Sequence, residues 1–202
     1  MSCEKPKESC SSPSASGLYL TFDDGPHLTA TRIILDVLRL EEAKATFFVV
    51  GERLTFPNHA AIVVEAAADG HAIGNHTFTH SDLTVCSEQE IEHEVVATSK
   101  VLEKLGIRTN LVRPPYGRLN KRVTDVLQRL GFEIVLWNND PRDWDRRSSD
   151  DEWVRRAIAA VHEHHANIIV CHDIHERTAN HAQALLQRLA SEGYDFLTWV
   201  AT

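Results

Sequence analysis

Leu18-Tyr19-Leu20-Thr21-Phe22-Asp23-Asp24-Gly25-Pro26 is the stretch on which the fold turns. Leu18 to Phe22 has the apolar and aromatic character of a strand, two aspartates stand at its end, and Gly25-Pro26 marks a tight turn. Enzymes of the α/β class carry their chemistry where strands end and turns begin. Adjacent carboxylates repel each other unless something accepts their charge. A metal ion does so by taking one as a ligand and leaving the other as a base. The same residues also spell a solvated Asp-Asp-Gly-Pro turn, so the rest of the chain must decide between the two.

Outward from this stretch, short apolar runs alternate with longer amphipathic ones. Strand-like runs are Leu18–Phe22, Ala45–Val50, His71–Gly74, Thr109–Val112, Glu133–Trp137, Asn167–Cys171 and Asp195–Val200. Between them, residues 31–40 place Ile33, Ile34, Val37 and Leu38 on one helical face. Pro57 opens a second helix and Gly70 closes it, while Ser87 and Glu90 form a capping-box pair ahead of a third that ends at Gly106. Three more are expected near 120–130, 150–165 and 178–192. Strands alternating with helices predict a parallel sheet with helical crossovers.

Polar residues follow several of these strands: Asp23 and Asp24, His76 and His80, Arg113, Asp140, and His172. A nearly closed barrel brings such strand ends to one face, whereas an open sheet spreads them along an edge. The fold expected is therefore an α/β, incompletely closed barrel of about seven parallel strands.

The 202 residues suffice for one well-buried core, and 43% hydrophobic with 25% charged residues is the composition of a globular protein. A net charge of −8 argues against nucleic acid as a partner, because phosphate binding needs clustered Lys and Arg. No run approaches the length of a transmembrane helix. Residues 1–17, rich in Ser, Pro, Lys and Glu, read as a disordered leader or linker without the apolar stretch of a signal peptide. Cys3 and Cys10 lie in it, and their state is open. Cys171 reads as a small buried apolar residue.

His76 and His80 stand four apart, a spacing that suits a shared metal. Twelve histidines yield roughly 0.7 such pairs by chance, so the spacing alone is weak. With Asp24 from another strand end it gives three ligands and an open fourth position, the pattern of a catalytic site. The competing cluster of His162, His164 and His165 reads as a solvated helix C-terminus.

Thr21-Phe22-Asp23-Asp24-Gly25-Pro26, His76-Thr77-Phe78-Thr79-His80, Arg113-Pro114-Pro115-Tyr116-Gly117, Asp140-Pro141-Arg142-Asp143-Trp144 and the apolar run into His172-Asp173 together resemble the five ordered motifs of the polysaccharide deacetylases. These are the NodB-homology domains of carbohydrate esterase family 4, and the resemblance covers about residues 18–200. It implies a distorted (β/α) barrel and one catalytic domain over residues 18–202. It also implies a role for each matching residue. Asp24, His76 and His80 would bind one divalent metal ion, usually zinc, although the ligand set also suits cobalt or nickel. Asp23 would be the general base and Arg113 would hold it in place. His172 would be the general acid, with Asp140 pairing with it directly or through a neighbour. The Tyr116 backbone N–H would help stabilise the oxyanion, and Trp144 and Val170 would wall a pocket for the acetyl methyl. Cys171 departs from the leucine common before the histidine.

The implied activity is removal of N-acetyl groups from N-acetylglucosamine residues of a polysaccharide, chitin-like or peptidoglycan. The alternatives are an O-acetyl esterase of the acetylxylan type, a small-molecule amidase with the same metal site, and a non-catalytic sugar-binding member. Binding alone does not need the Asp23–His172 acid–base pair. A glycan substrate places the protein outside the cell, in the periplasm or in the cell envelope, and a monomer is expected.

Overall fold

The computed structural model describes residues 17–164 and 167–199. Residues 1–16 of the expected leader, with Cys3 and Cys10, lie outside them, as do His165 and Val200. Gly17, assigned above to the leader, already pairs as the first residue of a strand.

In chain order the elements are β1 (Gly17–Asp23), α1 (Ala30–Leu40), β2 (Thr46–Val49), α2 (Pro57–Ala68), β3 (Ala72–Asn75), α3 (Glu88–Lys104), β4 (Leu111–Val112), α4 (Lys121–Arg129), β5 (Glu133–Ile134), α5 (Glu152–His164), β6 (Ile168–His172), α6 (Glu176–Ser191) and β7 (Asp195–Leu197). The sheet runs β5-β4-β3-β2-β1-β6, with β7 on the first half of β1. Every strand pair is parallel. Parallel neighbours need long crossovers, and the helices supply them. Past β5 the chain swings across to β6, where Asn139 forms an isolated parallel bridge with Ile169. That single bridge, rather than a full strand, spans the gap in the curled sheet. The result is the incompletely closed barrel expected from the strand count.

The pleat of β1 sorts its residues. Leu18, Leu20 and Phe22 face the main core, which Ile34, Leu35 and Leu38 of α1 and Ala179, Ala182, Leu185, Leu186 and Leu189 of α6 also fill. Burying a side chain such as Leu or Ile contributes about 1.5–3 kcal/mol. The buried face of α1 is Ile34, Leu35 and Leu38, with Ile33 and Val37 only half-buried beside it. The helix is thus turned slightly from the face read in the sequence. A smaller core joins α3 and α4 over β4 through Ile91, Val95, Val112, Val123, Val126 and Leu127. The expected capping box starts α3: Glu90 N–H donates to Ser87 Oγ, and Ser87 N–H to the Glu90 carboxylate.

The opposite face of β1 carries Thr21 and Asp23 toward the barrel interior. The ladder sets neighbouring strand ends level there. Asp23 is the register partner of His172 on β6. His76 N–H bonds Val49 O at the end of β2, and Arg113 N–H bonds Asn75 O at the end of β3. β5 is shorter than the run Glu133–Trp137 suggested. After Ile134 the carbonyls of Val135 and Leu136 accept from the Arg113 guanidinium, at 3.0 and 3.3 Å, instead of from a neighbouring strand.

Candidate active site

Arg113 is a guanidinium with no solvent exposure, and its donors are almost all used within the barrel. Besides the two carbonyls, Nη1 donates to Thr21 Oγ1 and to Asp23 Oδ1, each at 2.7 Å. The guanidinium also lies 4.1 Å over the ring of Phe48. A buried cation satisfied this fully is rigid, so Asp23 is held by one oxygen. Its other oxygen, Oδ2, lies 3.8 Å from His76 Nε2.

Asp24 follows with φ 74°, in the left-handed region. This breaks the strand alternation, so two consecutive carboxylates line the same cavity. Gly25 is needed behind them: a Cβ there would lie 2.1 Å from the Asp173 carboxylate. Asp24 Oδ1 lies 3.3 Å from His76 Nε2 and 3.0 Å from His80 Nε2. Burial by itself would raise the Asp24 pKa; with these imidazoles protonated, their hydrogen bonds and the charge of His76 and His172 outweigh it and hold the carboxyl well below the usual range.

The chemistry of these donors tests whether a cation fits. His76 Nδ1 is 2.7 Å from Arg113 O, a pure acceptor, so Nδ1 carries the proton. In the neutral ring Nε2 then offers a lone pair, and it points at a carboxylate oxygen. Two acceptors facing each other at 3.3 Å call for a cation between them. One donor atom each from Asp24, His76 and His80 fall within 4.8 Å of one another, the only such group of three among the described residues. The set fits a divalent metal ion. In the competing histidine cluster, His162 is bonded to Glu192 at 2.5 Å; the side chain of His164 and all of His165 lie outside the description.

On the other side of the cavity His172 has a different partner from the one expected. Nδ1 of His172 is 2.8 Å from Asp143 Oδ1, and Asp143 Oδ2 accepts from His172 N–H at 2.7 Å and from Thr178 Oγ1 at 2.6 Å. Asp140 does not pair with His172. Its Oδ1 accepts the N–H of Arg142 at 2.9 Å, closing an Asx-type turn, with Arg142 at φ 57°. That turn folds the chain back and delivers Asp143, fully buried, to the histidine. Burial disfavours charge on His172. The hydrogen bond and charge of Asp143, with Asp23 and Asp24 nearby, outweigh it and raise the pKa to about 9.

These groups meet in one cavity of about 410 Å³, lined by Asp23, Asp24, His76, His80, Tyr116, Asp140, Trp144, Val170 and His172. Every site residue named from the sequence except the fully enclosed Arg113 is thus on its wall. Tyr116 sits at φ 60° in a turn whose Gly117 and Arg118 N–H groups bond back to Pro114 and Pro115. Cys171 faces the main core, so its departure from leucine leaves the cavity untouched. The sequence reading missed Trp137, Ile174 and His175, which complete the lining, and gave no role to Asp173, buried beneath Gly25. Trp137 was read as strand, and the other three sit just past the last motif histidine. Burial, opposed by a hydrogen bond from Thr31, raises Asp173 to about 7.

The polysaccharide deacetylase profile matches residues 11–135. The chain is 35% identical over 182 residues to the peptidoglycan-N-acetylglucosamine deacetylase PgdA of Listeria monocytogenes, covering 90% of this chain and 37% of that one. It is 38% identical over 132 residues to the chitooligosaccharide deacetylase of Azorhizobium caulinodans, 64% of this chain and 62% of that one. The chain therefore spans about two fifths to three fifths of these relatives' lengths. Its fold superposes on the structure of peptidoglycan deacetylase PdaC from Bacillus subtilis with TM-score 0.82 at 32% identity, over 93% of this chain and 89% of that one. With the profile matched across the strands that carry Asp23, Asp24, His76, His80 and Arg113, and the same barrel around them, the chain belongs to the polysaccharide deacetylase family.

Proposed function

We propose that this protein is a metal-dependent hydrolase that removes N-acetyl groups from N-acetylglucosamine residues of a polysaccharide. One observation carries the reading. Asp23 and His172, side by side in the β1–β6 register, face the cavity that also holds Asp24, His76 and His80. The names of the relatives support the substrate class.

Amide hydrolysis needs a base for the attacking water and an acid for the amine that leaves. Asp24, His76 and His80 would hold the metal, zinc being the first candidate with cobalt or nickel also suited to the donors. When bound, it supplies Lewis acidity, polarising a carbonyl and making water more acidic near neutral pH. Asp23 Oδ2, free of Arg113, takes the water's proton. The Tyr116 N–H donates to the oxyanion as the carbonyl becomes tetrahedral. His172, protonated on Nε2 because Asp143 occupies Nδ1, gives that proton to the departing nitrogen. Trp144, Val170 and Ile174 surround the acetyl methyl.

The cavity also speaks to substrate size. It shares Asp24 and His80 with a neighbouring depression lined by Glu52, Arg53 and Phe56. It shares Trp144, Ile174 and His175 with another lined by Arg146, Asp150 and Arg177. The three adjoin through these shared residues, an arrangement that suits a polymer better than a small-molecule amide. A glycan of this kind places the protein in the cell envelope or outside the cell. No helix among the described residues is long and apolar enough to cross a membrane. The test is acetate release from chitooligosaccharides, peptidoglycan and acetylxylan, with and without a chelator. Chelator-sensitive release from the two N-acetylated glycans is expected; release from acetylxylan alone would replace this reading with the O-acetyl esterase.

A further inference from the structure

The two histidines of the metal set are oriented by different means. The His76 ring is fixed directly, by Nδ1 on the Arg113 carbonyl. Among the described residues no hydrogen bond reaches Nδ1 of His80, whose ring lies edge-on to the exposed Tyr116 and tilted against the His76 ring. His80 also sits at φ 60° and Thr77, three residues earlier, at φ 66°. Such backbone persists only where its surroundings hold it. The direction of the His80 ring is therefore set by whatever holds the backbone from 77 to 79.

That backbone is held through its three N–H groups and the carbonyls of Thr77 and Phe78. Thr77 N–H donates to Asn75 Oδ1 at 2.8 Å, while the carbonyls of Thr77 and Phe78 accept from the N–H groups of Gly51 and Glu52, each at 2.9 Å. The remaining donors converge on one side chain, Glu94 of α3. Its Oε2 accepts from Phe78 N–H at 2.9 Å and Thr79 N–H at 2.8 Å, and its Oε1 accepts from Thr79 Oγ1 at 2.8 Å. Glu94 is only 8% exposed, in the middle of a helix that begins at Glu88. A buried carboxylate costs stability unless its oxygens are satisfied, and here all three bonds come from the two residues just before His80.

We propose that Glu94 is the positioning residue for His80, and that the affinity of the Asp24–His76–His80 centre for a divalent ion depends on it although it does not belong to the ligand set. The inference rests on the metal-site reading above. Nothing in the sequence marks the residue, since it is one glutamate among several on an amphipathic helix. Only the packing of α3 against the turn gives it the role.

The test is Zn²⁺ affinity of the full chain, measured by competition with a chromophoric chelator, for wild type, Glu94→Ala, Glu94→Gln, Thr79→Val and His80→Ala. Loss of a partner that orients a metal ligand typically weakens binding about 10–100-fold, the loss expected for Glu94→Ala. Glu94→Gln keeps an oxygen for both N–H groups and should stay within about threefold of wild type; Thr79→Val, losing one bond, should weaken binding about fivefold. Wild-type affinity in Glu94→Ala overturns the proposal, and so does a Gln variant as weak as Ala, which would show that charge rather than position matters. If Glu94→Ala fails to fold, Thr79→Val decides, and unchanged affinity there overturns it. His80→Ala separates the two readings: unchanged affinity in that variant defeats the metal site itself.

Discussion

The two sides of the cavity are built differently. On the base and metal side, Asp23, His76 and Arg113 each stand at, or one residue past, the last ladder bond of a parallel strand. On the acid side, His172 also ends a strand, but Asp143 comes from the irregular stretch between β5 and α5. Where the ladder delivers a residue, its place follows from where the strand ends. Where a loop delivers it, the path of the loop chooses which of two similar residues arrives. Asp140 and Asp143 are three apart in one motif; a turn at Pro141 and Arg142 occupies the first and presents the second.

The contrast can be broken most sharply at the two proton-transfer residues. Asp23→Asn should cost about 10²–10⁴ in kcat while metal content stays at the wild-type level, because the amide cannot accept a proton. His172→Ala should cost a similar factor on an amide substrate and less on an ester, whose leaving oxygen needs less help. Activity within about twofold of wild type in either protein would remove the assigned role.

Stability should separate the sides next. Arg113→Ala strands the Asp23 carboxylate in the barrel, and breaking a buried ion pair costs about 3–5 kcal/mol. Denaturant unfolding measures it. A loss below about 1 kcal/mol would mean that Arg113 does not anchor the base side.

The pH profile addresses the acid side. His172 must carry a proton, and Asp143 helps raise its pKa to about 9, so the acid is present below that value and lost as pH rises through it. In Asp143→Asn the raising influences weaken while burial still opposes charge, so the alkaline limb of kcat/KM should move to lower pH. A bound cation lowers the limb in both proteins and leaves the difference between them. The smallest effect belongs to Asp140→Asn, which retains an oxygen for the Arg142 N–H and should leave the limb in place. A shift in Asp140→Asn with none in Asp143→Asn would restore the pairing expected from the sequence.

The alternation of apolar runs, the caps of α2 and α3, and polar residues placed after strand-like runs determined the barrel and the carboxylates and motif histidines of its cavity from sequence alone, while the resemblance to the deacetylase motifs added Tyr116, Trp144 and Val170. The reason is physical. A strand's end and the direction of its last side chains follow from a period of two and from turn residues such as Gly25-Pro26, all of them local properties. What lay beyond this reading depended on contacts between segments far apart in the chain. β5 stopped at Ile134 because Arg113, from β4's end, claimed the next two carbonyls. Asp143 displaced Asp140 as the partner of His172 because β6 and α6 together offered it three donors. Glu94 reached the His80 turn because α3 packs beside it. Local sequence sets which groups a turn or strand end can present, and hydrogen-bond satisfaction in the buried interior decides which of them meet.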